Sequence, residues 1–392
     1  MTSSENSKTF SKTFLEALIA YSFDFGGVVA GFLVVYYFNI FQSYPWAVSV
    51  YPAILSARGM ISGLFSGRLG TALHLGIVYP KFLGNTKSFY ALFDSVIVIT
   101  LETSIVISGF SMIFGTFFWG VSPNTFFEVL AIIVSTMTFG LILSFFTISV
   151  GFTTFQKGLD PDVIGYPIMS TVADIFITLC YIFTLGLYAF SKYMVVLVAI
   201  SHICLSLYIM LKDFRKEEFV KTIKESLVTL IIVAFIVNIT GTVLKHIKFR
   251  KEIYSAYPAL IDTVGDVGSV VGSTATTKLA LGLLKPSFSG MRDHSKQIFA
   301  AWAASVVMFL SFSALSLYIN DIYSISAFLN FSILLLTTNL FAVSVMILIS
   351  YAVAILTFKK GLDPDNFVIP IESSIADSVT TIALFAAIFL IG

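Results

Sequence analysis

Long apolar stretches recur along this chain and constrain its fold more than any other feature. A membrane-spanning helix needs about 20 mainly apolar residues. Charged residues make up only 11% of the 392 residues, too few to give a chain of this length a water-facing surface. The sequence therefore predicts an all-α polytopic membrane protein and excludes a soluble enzyme, a nucleic-acid-binding protein and a disordered chain. Eleven stretches are long enough to span a bilayer: 14–41, 50–79, 89–118, 126–152, 164–190, 193–211, 226–244, 256–284, 297–318, 325–356 and 367–391.

The basic residues predict the direction of these spans. With the N-terminus in the cytoplasm, fifteen Lys and Arg residues fall in cytoplasmic segments and five fall outside, in agreement with the positive-inside rule. Four of the outside residues form one cluster that goes against the rule and has no explanation in the sequence: Lys245, Lys248, Arg250 and Lys251.

Two strings of the first half recur in the second half in the same order. TFQKGLDPDVIGYPIMSTVADIFIT (154–178) corresponds to TFKKGLDPDNFVIPIESSIADSVTT (357–381) at an offset of 203. YPAILSARGMISG (51–63) corresponds to YPALIDTVGDVGS (257–269) at an offset of 206. Two matches in the same order indicate an internal duplication.

The duplication explains the odd number of spans. A second copy that directly followed five spans would be inverted in the membrane, and one additional helix restores its direction. We therefore predict a first five-helix repeat at 1–191, a linking transmembrane helix and cytoplasmic loop at 192–220, and a second five-helix repeat at 221–392. The two parallel repeats would be related by a pseudo-two-fold axis along the membrane normal, an architecture typical of transporters. The alternative is a duplication that only enlarges the helix bundle.

One aspartate recurs in the last helix of each copy, as Asp174 and Asp377. An ionised side chain at the bilayer centre costs at least about 2.5–3.5 kcal/mol, so each needs a reason. Each lies seven residues after a proline, which can leave carbonyl oxygens without their helical partners. Helical spacing places hydroxyl groups on the same face: Ser170 and Thr178 beside Asp174, and Ser373 and Thr381 beside Asp377.

The recurring carboxylates predict a cation site. Two carboxylates held close in a low-dielectric interior repel each other or share a proton, and a divalent cation between them removes the repulsion. Oxygen ligands without nearby His or Cys suit Mg²⁺ or Ca²⁺ rather than zinc or copper. The alternative interpretation is structural, with each aspartate capping a broken helix or bonding a neighbouring serine.

The second helix of the second copy carries two further acids on one face. Asp262 and Asp266 stand where the first copy has Ser56 and Met60. Two interpretations are open: they are ion ligands near a pore mouth, with Asp266 the better candidate, or they form structural ion pairs with Arg58 or Lys278.

The third helix of the first copy also carries two acids. Asp94 and Glu102 are eight residues apart and share a helix face. They could line an access path for the ion, or they could pair with Arg58 or Arg68. Asp24 in the first helix has no counterpart in the repeat.

These residues resemble the MgtE family of magnesium transporters and channels, and the related animal solute carriers that hold two such domains in one chain. The string GMISGLFSGRLGTALHLG (59–76) is similar to the signature helix of the family. The LDP turn followed by a proline and an aspartate (159–174 and 362–377) is similar to its final helix. The resemblance implies five helices per domain and two domains around a central cation pore, which this chain would form alone as an internal pseudo-dimer.

The resemblance also implies roles for individual residues. Asp174 and Asp377 match the pore aspartate of the family, and Ser170 and Ser373 fall where it contributes a backbone carbonyl. Asp266 falls where relatives have a polar residue after glycine. Only about a dozen residues precede the first apolar stretch, so we do not expect the cytoplasmic sensor domains of bacterial members.

The sequence leads to one main functional hypothesis. The chain is expected to be a multi-pass protein of the cell membrane that conducts a divalent cation, most favourably Mg²⁺ as the transported ion, along the interface of its repeats. One alternative is a proton- or sodium-coupled secondary transporter of a small solute. Another is an intramembrane aspartyl enzyme that uses the two acids as a dyad, although no enzymatic activity is expected from the resemblance.

Overall fold

The computed structural model describes residues 3–156, 161–360 and 365–391 of the chain. Within these ranges it describes the side chains except those of 3–9, 67, 71, 74, 161–170, 217, 218, 221, 222, 225, 228, 229, 280 and 365–374. The regular structure of the described residues is helical throughout, in agreement with the predicted all-α class.

The described residues up to Asp213 form nine helices. They are α1 (Ser3–Tyr21), α2 (Phe25–Tyr36), α3 (Phe38–Gln42), α4 (Ala47–His74), α5 (Lys87–Phe114), α6 (Phe126–Gly140), α7 (Ile142–Gln156), α8 (Pro161–Phe190) and α9 (Lys192–Asp213). A 3₁₀ turn at Ser22–Asp24 separates α1 from α2, and a π turn at Gly115–Trp119 ends α5.

The described residues after Asp213 form five helices of 27 to 35 residues. They are α10 (Glu217–His246), α11 (Lys251–Ala280), α12 (Met291–Ile319), α13 (Ile325–Lys359) and α14 (Asp365–Ile391). The matched helices α4 and α11 each contain an internal proline, Pro52 and Pro258, at the repeat offset of 206.

Eight segments of the described chain are long and apolar enough to cross a membrane: Phe10–Tyr36, Ala47–Gly70, Lys87–Trp119, Pro123–Gln156, Thr171–Phe190, Lys192–Asp213, Phe288–Ile319 and Ile325–Lys359. The chain is therefore a multi-pass membrane protein. The three remaining predicted spans fall in α10, α11 and α14. Helices α10 and α14 contain shorter apolar segments, Leu230–His246 and Ile375–Ile391. The predicted total of eleven spans thus stays a prediction.

The helices form two compact units whose boundaries differ from those of the predicted repeats. One unit, here called the continuous unit, is Tyr36–His246. The other, called the split unit, combines Met1–Val35 with Ile247–Gly392. Helix α1 packs against α11 and α12, and α10 packs against α4 and α5. The first helix of each sequence copy therefore belongs to the unit that holds the remaining helices of the other copy.

Glycines allow these first helices to approach the second helices at backbone distance. In the split unit, a Cβ atom at Gly31 would collide with the carbonyl oxygens of Tyr254 and Ser255 on α11. In the continuous unit, a Cβ atom at Gly241 would collide with the carbonyl oxygen of Ser49 on α4. Because Ser49 and Ser255 are themselves separated by the repeat offset of 206, the same close contact occurs in both units.

Polar contacts explain part of the basic cluster that departs from the positive-inside rule. The Lys245 ammonium group donates a hydrogen bond to the carbonyl oxygen of Trp119, where the π turn after α5 ends. Arg250 forms an ion pair with Glu252, with a distance of 2.7 Å between Nε and Oε1. These two cations therefore have local structural partners, at the end of α10 and the start of α11.

Candidate ion site

The two recurring aspartates occupy equivalent buried places in the two units. Asp174 lies on α8 in the continuous unit and is 7% exposed, and Asp377 lies on α14 in the split unit and is 6% exposed. Each lies in an apolar segment of its helix, Thr171–Phe190 of α8 or Ile375–Ile391 of α14. A carboxylate in such surroundings is costly unless a partner compensates its charge, so the two positions are the foremost candidates for ion contact.

A tyrosine–threonine hydrogen bond lies one turn after each aspartate. Tyr51 on α4 and Thr178 on α8 have hydroxyl oxygens 2.9 Å apart. At the matched positions, the hydroxyl oxygens of Tyr257 on α11 and Thr381 on α14 are 2.7 Å apart. All four side chains are buried. The bond fixes the second helix of each copy to its last helix beside Asp174 or Asp377.

Thr178 and Thr381, which the sequence predicts on the face of the aspartates and which are candidate pore-lining residues, are therefore engaged within the helix packing. Thr178 and Thr381 are both 0% exposed, and the Thr381 hydroxyl is also 2.6 Å from the backbone carbonyl oxygen of Asp377, to which it donates. The tyrosine partners were not singled out by sequence reasoning. The available signal was that Tyr51 and Tyr257 begin the two matched YPA strings. The predicted ligands Ser170 and Ser373 lie at positions whose side chains are outside the described part of the chain.

Helix α11 brings its acids to a second polar group in the split unit. Asp262 and Asp266 are both partly exposed. Three residues before Asp266, the Thr263 hydroxyl donates a 2.5 Å hydrogen bond to Oδ2 of Asp24, which is only 4% exposed. Asp24 thus takes part in a buried polar contact that sequence reasoning did not anticipate.

Among the described residues, the acids of α5 are not joined to Arg58 of α4. Asp94 pairs instead with Lys212 of α9, with 2.7 Å between Oδ2 and Nζ. Oε2 of Glu102 is buried and has no hydrogen-bond partner in the described part of the chain. Arg58 is 1% exposed, and its one hydrogen bond among the described residues is a 3.3 Å contact from Nη2 to the Ser144 hydroxyl. The pairing of Asp94 or Glu102 with Arg58 that was considered above is thus absent.

Within either unit, the described residues contain no group of three or more His, Cys, Asp or Glu side chains that could hold a metal ion. Any cation bound within one unit would therefore use fewer carboxylates, together with hydroxyl or carbonyl oxygens or water. Hydrated Mg²⁺ is commonly held in this way, by one or two carboxylates.

Comparison with known protein families identifies the family to which the chain belongs. The family model named MgtE, a divalent cation transporter, matches residues 51–184 and 257–387. The chain belongs to the MgtE family of divalent cation transporters. No curated protein and no solved structure gives a match.

The two matched segments contain the tyrosines, threonines and aspartates that the structure places at equivalent positions in the two units. One begins at Tyr51 and includes Asp174, and the other begins at Tyr257 and includes Asp377. Helices α1, α2, α3, α9 and α10 lie outside both segments. The resemblance seen in the sequence is confirmed, and the family consists of transporters or channels rather than enzymes. The protein is therefore a multi-pass membrane transporter of divalent cations.

Proposed function

We propose that this MgtE-family chain transports Mg²⁺ along the interface of its two repeats, with the ion held between Asp174 and Asp377. The observation that carries the proposal is the recurrence of a buried aspartate four residues before a threonine that is bonded to a tyrosine of the second helix. Since the same local framework supports both carboxylates, a pseudo-two-fold axis along the membrane normal would bring them to one site in matching orientations.

Electrostatics favours a divalent ion at such a site. Two carboxylates in a low-dielectric interior cannot both stay ionised without compensation, and one Mg²⁺ supplies two positive charges. Mg²⁺ dehydrates reluctantly and usually keeps several waters, so the proposed ion contacts the carboxylates with part of its hydration shell. Backbone carbonyls at Ser170 and Ser373 are proposed as further ligands, and Asp262 and Asp266 as acids along the pathway.

The proposed setting is the cell membrane, with one chain sufficient for transport. The two family segments in one polypeptide supply both aspartates without a second subunit. Asp94 and Glu102, the acids of α5, are proposed to lie on an access path for the cation.

The test is ion flux in proteoliposomes that contain purified protein. Asp174→Asn and Asp377→Asn should each reduce Mg²⁺ flux to the level of empty vesicles, because either change removes half of the negative charge that binds the ion. Asp321→Asn is a suitable control, since Asp321 is exposed and has a positive φ of 57° that asparagine also adopts. Normal flux in both substituted proteins would refute the proposed site.

The same vesicles test the ion and the mode of transport. Flux is measured separately for Mg²⁺, Mn²⁺, Co²⁺ and Ca²⁺, each with and without a proton or sodium gradient. Mg²⁺ flux that persists without either gradient is the expected result for a conduit. Flux that collapses when a gradient is removed would instead support a coupled carrier.

A further inference from the structure

The first membrane helix of the split unit is interrupted at a cluster of polar residues. Helix α1 ends at Tyr21, a 3₁₀ turn covers Ser22–Asp24, and α2 begins at Phe25. The interruption falls inside the apolar segment Phe10–Tyr36. A short 3₁₀ stretch in the middle of a helix often marks a functional hinge or a strained sequence. In a membrane, irregular backbone is tolerated only where it is buried in protein or lines a water-filled cavity.

Close packing against α11 holds the Asp24 carboxylate in place. A Cβ atom at Gly27 would lie 2.6 Å from the backbone nitrogen of Ala259, so the backbones of α2 and α11 are almost in contact. One turn further along α11, the Thr263 hydroxyl donates its hydrogen bond to Asp24. The hydroxyl oxygen retains lone pairs that can contact a cation.

Tyr21 supplies a hydroxyl whose hydrogen-bonding capacity is unused. The side chain is 0% exposed, and its hydroxyl has no hydrogen-bond partner among the described residues. The carboxylates of Asp266 and Asp24 both act on it electrostatically. A buried hydroxyl without a partner is destabilising, and such groups are rare enough in folded proteins to require an explanation. A species bound between the two carboxylates would explain why the Tyr21 hydroxyl has no partner among the described residues.

We infer that Tyr21, Asp24, Thr263 and Asp266 form a binding site for one divalent cation within the split unit. The identity of the ion rests on the proposed function. The two carboxylates balance the charge of the ion, and the two hydroxyl oxygens and water complete a set of hard ligands suited to Mg²⁺. The partly exposed Asp266 offers an approach to the buried Asp24.

The site occurs once per chain because the continuous unit lacks its polar residues. The shared glycine contact aligns Gly31 with Gly241, so Asp24 corresponds to Ala234. At the repeat offset of 206, Thr263 corresponds to Ala57 and Asp266 to Met60. None of these three counterparts has a side-chain oxygen for a hard cation such as Mg²⁺. The paired aspartates are expected to act as one shared site, whereas this site belongs to one unit alone.

The experiment measures binding in protein whose paired aspartates have been removed. Mn²⁺ serves as the probe, because its free concentration can be followed by electron paramagnetic resonance. Purified Asp174→Asn/Asp377→Asn protein should retain binding of Mn²⁺ that excess Mg²⁺ displaces. Adding Asp24→Asn or Asp266→Asn should raise the dissociation constant at least tenfold, and adding Tyr21→Phe should raise it severalfold. Asp321→Asn and Tyr318→Phe, at exposed positions, should leave it unchanged.

The outcomes distinguish this inference from the proposed function. Mn²⁺ affinity that is unaffected by substitutions at Tyr21, Asp24 and Asp266 refutes the site, even if Asp174→Asn abolishes flux. Binding that depends on Asp24, combined with normal Mg²⁺ flux in both Asp174→Asn and Asp377→Asn proteins, supports the site and refutes the proposed function. Size-exclusion chromatography identifies any variant that fails to fold. Asp266→Asn is the safest variant, because the Asp266 side chain is partly exposed and no described hydrogen bond depends on it.

Discussion

The two units share a backbone framework but carry different charges on it. In both, a glycine of the first helix packs on a serine carbonyl of the second helix, and a tyrosine of the second helix bonds a threonine of the last helix. The polar positions between these contacts have diverged. The split unit has Thr263 and Asp266 where the continuous unit has Ala57 and Met60. The two units thus share the close backbone packing of the first and second helices but differ in the charge of the second helix.

Arg58 is a second charge difference between the two units. It is buried in the continuous unit, and its Nε and Nη1 groups have no hydrogen-bond partners in the described part of the chain. The matched residue in the split unit is Val264, which is 0% exposed. The second helices also differ in packing: a Cβ atom at Gly265 would lie 3.5 Å from Cβ of Ala376, whereas a Cβ atom at the matched Gly59 would contact no described atom outside its own stretch of helix within 4 Å. A cation would therefore experience a different electrostatic field from each unit.

The largest expected effect concerns the shared glycine contact. Gly31→Ala and Gly241→Ala each place a methyl group against backbone carbonyl oxygens, and the helices cannot separate without breaking the unit. We expect each change to destabilise the protein by about 3 kcal/mol or more, with little folded protein recovered. Gly59→Ala, where the methyl group enters open space, is the matched control and should be neutral or slightly stabilising. Fluorescence-detected size-exclusion chromatography and thermal melting measure the difference. Equal yields of all three variants would contradict the described packing.

The next largest effect concerns Arg58, a buried arginine of the continuous unit at a position where the split unit has the buried Val264. Val264→Arg introduces an arginine into a fully buried position and should cost about 3–5 kcal/mol, the cost typical of an uncompensated buried charge. Arg58→Met removes a poorly compensated charge and should be neutral or stabilising. Thermal unfolding of the two purified variants tests this opposite response. A melting temperature that falls equally in both would show that Arg58 has a compensating partner.

The smallest effect concerns the tyrosine–threonine bond that both units retain. Tyr51→Phe and Tyr257→Phe each remove one buried hydrogen bond, which is worth about 1 kcal/mol. Because the two contacts have nearly the same geometry, we expect similar decreases in melting temperature. Phenylalanine at Tyr318, which is 71% exposed, serves as the control. A large decrease for one of the two buried tyrosines alone would indicate that the frameworks differ more than their geometry implies.

Recurring residues made part of the candidate site predictable from the sequence. The strings that contain Asp174 and Asp377 repeat at a constant offset, so the two residues could be recognised as equivalent without knowing any contact in the structure. The role of Tyr51 and Tyr257 could not be read in the same way, because tyrosine in an apolar helix has many uses and its partner lies more than 120 residues away. Tyr21 and Asp24 were missed as a pair because a 3₁₀ interruption leaves no periodic signal in an apolar stretch.

The composition of the two units could not be predicted from the duplication. A repeat gives the order of helices along the chain, but it does not say which copy each helix packs against. The placement of each first helix in the unit of the other copy depends on contacts between distant segments. Examples are the contacts of Gly31 with Ser255 and of Gly241 with Ser49. Glycine is common in membrane helices for many reasons, so these two positions did not stand out beforehand.

The exchanged first helices also affect how the protein is made. During synthesis, the continuous unit can be completed as soon as residue 246 has left the ribosome and entered the bilayer. Residues 1–35 are translated earlier but must wait for α11 and α12 before they reach their neighbours. The opening segment therefore spends most of translation in lipid with an acidic residue, Asp24, in its middle. A nascent chain of this kind is a natural client for factors that shelter unassembled membrane helices.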